Sequence, residues 1–183
     1  MAKQQVRSKE VSKIINSKLQ DNIPRQQILD ELAELYHGKN TIAVLIASAP
    51  TNERKEKYKS LNNILVALLV LTVVLKIVVA ALLLSQVSVF LLPFALIIPA
   101  FSMWLAYEVS KYKGYIYTVL GMLALASIFK AMANGAAIQV LGILEIGVLL
   151  AISGLAFYLR KKMFPNFNFT GPKKDATGAV ILE

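Results

Sequence analysis

The chain has 183 residues, 56% of them apolar, with 20 Lys/Arg against 11 Asp/Glu, one histidine and no cysteine. Without cysteine there is no disulfide framework, no thiolate nucleophile and no cysteine zinc site. His37 alone cannot supply a histidine cluster for a metal or a triad. A charged fraction of 17%, sorted cleanly away from long apolar runs, argues against a soluble enzyme.

Residues 1–61 are polar and carry 11 Lys/Arg and 7 Asp/Glu. Within them Val11, Ile14, Ile15 and Leu19 recur at helical spacing, as do Ile28, Leu29, Leu32, Ala33 and Tyr36. Asp21 and Asn22 are candidate caps ahead of Pro24, a residue tolerated in a first helical turn. Gly38 suits a left-handed cap at the end of the second helix. The run TIAVLIAS, 41–48, reads as a third short helix packed on the first two. Pro50 and Thr51 then open a charged helix that is expected to run straight into the first apolar run. Two helices around a Gly-containing turn also describe a helix-turn-helix. The second of them carries no Arg, Lys, Gln or Asn to read base edges, so a three-helix head is expected and no nucleic-acid partner. Ile28, Leu32, Tyr36, Ile42 and Leu45 are the expected partner-binding residues of this head.

Four apolar runs follow, 62–84, 87–107, 114–133 and 138–158. Each is long enough, at ~1.5 Å per residue, to cross a hydrocarbon core of ~30 Å. Lipid satisfies no backbone polar group, so such runs must be helical. The expected fold is all-α: a polytopic membrane protein with a four-helix transmembrane bundle (62–159), a small helical cytoplasmic head (1–61) and a basic cytoplasmic tail (160–183). The N-terminus has no secretory signal pattern, since its first apolar run begins some sixty residues in.

Orientation follows from the basic residues beside the runs. The head has eleven, the connection after the second run has Lys111 and Lys113, and the tail has five. The other two connections have none. Both termini and the middle connection are therefore expected in the cytoplasm, with Trp104, Tyr107, Tyr112, Tyr115, Tyr117, Phe157 and Tyr158 at the same interface. The net charge of +9 is expected to favour an anionic cytoplasmic leaflet, and a bacterial inner membrane is the expected location. The tail's Phe164, Phe167 and Phe169 beside Arg160-Lys161-Lys162 are suited to lying along that interface. Asn168-Phe169-Thr170 matches a glycosylation sequon that a cytoplasmic tail leaves unused.

Lys76, Lys130 and Glu145 lie inside apolar runs, where a mid-span charge costs at least ~2.5–3.5 kcal/mol and normally finds a partner or water. Lys76 and Glu145 are level, each roughly 11–12 Å below the outer end of its run. Two readings stand. In one they form a structural ion pair; in the other they centre a polar pocket with Lys130, Ser127 and Asn134. Lys130, near a run's end, is also placed to snorkel outward. Pro93 and Pro99 are expected to kink the second run. Gly121, Gly147, Ala151 and Gly154 offer small surfaces for close helix contact or self-association.

No phosphate-binding loop, zinc-protease motif or nucleophile elbow occurs. No cofactor is expected. The expected function is non-enzymatic: a membrane-embedded sensor, adaptor or immunity-type component, homo-oligomeric, that binds a cytoplasmic protein through its head. The alternative is a subunit of a small oligomeric channel or transporter that uses the pocket around Lys76 and Glu145.

Overall fold

The computed structural model describes residues 8–84, 92–135, 140–168 and 171–182. Among them are seven helices: α1 (Ser8–Gln20), α2 (Arg25–Leu35), α3 (Lys39–Ser48), α4 (Asn52–Leu84), α5 (Leu92–Ser110), α6 (Gly114–Ala133) and α7 (Val140–Met163). Two short strands, β1 (Phe167–Asn168) and β2 (Gly171–Pro172), pair antiparallel. Apart from this ribbon the regular structure of the described residues is helical. Among them three stretches are long and apolar enough to cross a membrane: Asn52–Val78, Gly114–Ala133 and Gly142–Met163. In an 18-residue apolar window of each, only 22%, 33% and 28% is buried within the chain, so most of that apolar surface needs cover from outside it, as a membrane supplies.

The chain forms two compact units. The first takes in the chain up to Tyr58, Tyr112–Tyr115 and Leu159–Glu183; the second takes in Lys59–Lys111 and Ile116–Tyr158.

In the first unit the helical periodicity of the sequence becomes a three-helix core. Val11, Ile15 and Leu19 of α1 meet Ile28, Leu29 and Leu32 of α2 and Ile42, Ala43 and Ile46 of α3, all of them buried. Each fully buried Ile or Leu contributes about 1.5–3 kcal/mol relative to exposure. Gly38 takes the left-handed conformation (φ 96°) and caps the start of α3. The Arg25 Nη2 donates to the Ala49 carbonyl at 2.8 Å, tying the start of α2 to the end of α3. Lys18 and Glu31 pair across α1 and α2, and that ammonium group holds the Glu31 carboxyl below its usual range.

The tail belongs to this unit. Past β2 the chain continues as a hairpin, with Lys174 bridged to Val180 and the Ile181 N–H donating to the Lys173 carbonyl at 3.0 Å. Its turn is organised by Asp175, whose Oδ1 accepts from the Thr177 hydroxyl (2.6 Å), the Thr177 N–H (2.8 Å) and the Ala179 N–H (3.0 Å). Val180 and Leu182 pack against the three-helix core. Phe164 is buried too, against Gly114, where an added Cβ would lie 3.0 Å from the Phe164 ring and 3.2 Å from the Ser48 carbonyl. The sequence suggested a tail laid along a membrane. In the structure Phe164 is inside the unit and Val180 and Leu182 close on the head's core, which takes apolar surface out of water.

In the second unit each long helix turns one stripe inward. The buried positions are Leu65, Leu69 and Val73 on α4; Leu105, Ala106 and Val109 on α5; Ile116, Leu120, Ala124 and Ile128 on α6; and Ile152 and Ala156 on α7. α4 is a single helix of 33 residues, as expected from the charged lead-in. α5 runs unbroken through Pro99, and the residues just ahead of Pro93, 85–91, lie outside the described ones. Near Pro99, the Ser102 hydroxyl donates to the Ile98 carbonyl at 3.0 Å.

Candidate functional site

The most ordered polar chemistry in the second unit is a buried knot joining three helices. The Tyr117 hydroxyl (α6) donates to Asn62 Oδ1 (α4) at 2.7 Å and lies 3.3 Å from the Val109 carbonyl (α5). Asn62 Nδ2 donates to that same carbonyl at 3.4 Å. Tyr117 is 0% and Asn62 1% exposed, so each polar atom depends on the others rather than on water. A second contact joins α6 to α7. The Ser153 hydroxyl donates to the Gly121 carbonyl at 3.2 Å, and a Cβ at Gly121 would stand 2.7 Å from the Phe157 ring. Only a glycine lets that ring cross α6 so closely. Both features pack helices; neither offers a nucleophile or an acid–base pair.

The expected intramembrane cluster is not assembled. Lys76 and Glu145 are both exposed, and among the described residues they form no ion pair with each other. Their phase is nonetheless inward. Lys76 follows Leu69 by seven residues and Glu145 precedes Ile152 by seven, a rotation of about 20° on a helix. Each charge is thus in helical phase with its own helix's buried stripe, with its side chain exposed. Ser127, Lys130 and Asn134 are exposed on α6 and just beyond it, although Ser127, seven residues after Leu120, is in phase with the stripe of Leu120, Ala124 and Ile128. Sequence put Lys76 and Glu145 at one depth, but equal depth does not bring two side chains within bonding distance.

Of the small-residue positions, Gly121 is in close helix contact, whereas Ala151 is exposed and a Cβ at Gly147 or Gly154 would meet nothing within 4 Å. The expected docking residues of the head are also reassigned. Ile28 and Ile42 are 0% and Leu32 2% exposed, so they are the core itself. Tyr36 and Leu45 pack against it, partly buried. The surface that the head turns outward is polar: Lys13, Asn16 and Gln20 on α1, and Gln26, Gln27, Asp30 and Glu34 on α2, with Leu35 the large apolar exception.

Two further features lie on single helices. The Lys111 ammonium sits 4.0 Å from the centre of the Tyr107 ring and also bonds its hydroxyl, a cation–π anchor suited to a membrane–water boundary. An open apolar groove of about 520 Å³ runs along α4, lined by Asn63, Val66, Ala67, Val70, Leu71 and Val74. Among the described residues, no three His, Asp or Glu side chains gather as a metal site.

Sequence reading missed Asn62, Tyr117 and the Val180/Leu182 pair. Signals for them existed. Asn62 is in phase with Leu65 and Leu69, and Val180-Ile181-Leu182 is an apolar triplet in a polar tail. No family model matches the chain, and neither a curated protein nor a solved structure matches it.

Proposed function

We propose that this is a non-enzymatic, four-span membrane protein whose head-and-tail unit recognises a cytoplasmic protein partner. One observation carries the topology. The head, the Tyr112–Tyr115 connection and the tail belong to one compact unit, with Ser48, Gly114 and Phe164 in contact and Val180 and Leu182 on the head's core. Segments that touch lie on one side of a bilayer. The chain therefore crosses an even number of times between the head and Gly114, and again between Gly114 and Phe164. With α4, α6 and α7 each long and apolar enough to span, that parity supports α5 as the fourth span. The basic residues beside these segments support the cytoplasm as the shared side, and a bacterial inner membrane with an anionic leaflet as the setting.

The recognition reading rests on economy of chemistry. The buried polar groups of the spans are spent on holding helices together. The first unit, by contrast, builds a closed core and turns a varied polar surface outward. The exposed small face of Gly147, Ala151 and Gly154 suits self-association.

The rival reading, a channel or transporter subunit, draws on the inward phase of Lys76 and Glu145. Photo-crosslinking residues placed at Gln27, Asp30 and Glu34 in intact cells, beside ion and proton flux through liposomes carrying the purified protein, separate the two. Crosslinks from these head positions to a soluble protein, with no flux, fit the proposal. Flux that vanishes in Glu145→Gln while the protein stays folded replaces it with the conduit.

A further inference from the structure

The seat of the tail on the head has the geometry of a peptide site. Val180 and Leu182 are two residues apart in extended chain, so both side chains point to one face, and both pack on the apolar cluster of α1, α2 and α3. Ile181, between them, donates its N–H to the Lys173 carbonyl, which fixes the segment as one arm of the hairpin. β2 lies against α3, so the hairpin borders the helix that forms one wall of the seat. Burial is uneven across this contact. Ile28, Ile42 and Ile46 are 0% exposed, whereas Val180, Ile181 and Leu182 are only partly buried. The occupant lies on the outer side of the core without being enclosed by it.

We propose that this seat is the head's partner-binding groove, occupied in cis by the chain's own 180–182 segment. The partner is then a protein that presents an extended segment with aliphatic side chains at alternate positions. It binds by displacing the tail, which acts as an internal competitor. This rests on the head-and-tail unit being the recognition part of the protein and names the site within it. The five residues first expected to bind, Ile28, Leu32, Tyr36, Ile42 and Leu45, then act from beneath as the floor and its support.

The test uses the full chain in lipid nanodiscs with Val180→Asp and Leu182→Asp together, which empties the seat while leaving the Asp175 turn. The probe is a fluorescent peptide of residues 173–183. Saturable binding to the double variant, at least tenfold tighter than to the wild-type chain, is the expected result, with a peptide carrying the same two aspartates failing to bind. Hydrogen exchange at Val11, Ile15 and Ile46 reports the head's fold in the same samples. Three outcomes overturn the proposal: no binding to a double variant whose head amides stay protected, equal binding to both chains, or loss of that protection, which would make the tail a fixed part of the core. Loss of head crosslinks in cells, by contrast, bears on the recognition reading and leaves peptide binding to be read on its own.

Discussion

Replacing Tyr117 with Phe removes one oxygen from a site that is 0% exposed and leaves the ring in place. The lost donor strands Asn62 Oδ1, which accepts the Tyr117 hydroxyl at 2.7 Å. An orphaned buried acceptor costs about 1–3 kcal/mol, while hydrogen bonds between membrane helices average only about 0.6 kcal/mol and reach about 1.7. The knot joins α4, α5 and α6 with both partners out of water, so the upper part of the second range applies, about 1–1.7 kcal/mol. The asymmetry of hydrogen-bond energetics makes a sharper statement. Asn62→Leu with Tyr117→Phe removes the stranded side-chain acceptor and leaves only the Val109 carbonyl without these two donors, so the double variant should be less destabilised than the two single losses summed. Reversible unfolding in mixed micelles, read by circular dichroism for the four proteins of the cycle, gives the coupling energy. A coupling below about 0.3 kcal/mol, within the usual error of additivity, would refute the view that this knot is a cooperative clamp.

Further predictions rest on other contacts. Gly114→Ala forces a methyl toward the Ser48 carbonyl and the Phe164 ring; overpacking of this kind costs about 1–3 kcal/mol, and the loss should appear as faster proteolysis of both head and tail. A double-mutant cycle of Lys76→Met and Glu145→Gln should show coupling near zero, because the two side chains are exposed and form no pair; coupling above about 1 kcal/mol would restore the ion-pair reading. The Asp175 carboxyl is held below its ordinary range by the Thr177 hydroxyl first, then by the Ala179 and Thr177 N–H groups. Its folded-state pKa lies under the unfolded one, so its contribution is complete above the unfolded value of about 3.9 and fades as pH falls through the lower folded value. Amide exchange at Thr177 and Ala179 should therefore rise in acid, and Asp175→Asn should remove most of that pH dependence. With no native cysteine, single cysteines report topology cleanly: Ser88→Cys should react with an impermeant maleimide from outside intact cells, and Gly178→Cys only after lysis.

Much of the fold was legible because it depends on local chemistry. Apolar runs of about twenty residues have few ways to satisfy their backbones in lipid, and the stripes of Val11, Ile15 and Leu19 or Ile28 and Leu32 state which face of each helix is covered. The left-handed turn at Gly38 and the helical continuity from Asn52 into the first apolar run were equally local. The same stripes do not say what covers them. Ile28, Leu32 and Ile42 read as well for a docking face as for a core, and only the closure of α1, α2 and α3 on one another made them interior. Gly121 and Gly147 are alike in sequence, yet one lies under the Phe157 ring and the other faces open space.

The candidate site divides along the same line. Sequence placed Lys76 and Glu145 at one depth, and it determined the division of the chain into a charged head, apolar helices and a basic tail. Tertiary structure decided that those two charges do not meet, that Asn62 and Tyr117 do, and that Val180 and Leu182 close on a core built at the other end of the chain. Periodicity and hydropathy act over one or two helical turns, so they are written in short stretches of sequence. Pairings between distant segments are settled by which surfaces lose most contact with water and lipid when the whole chain is packed.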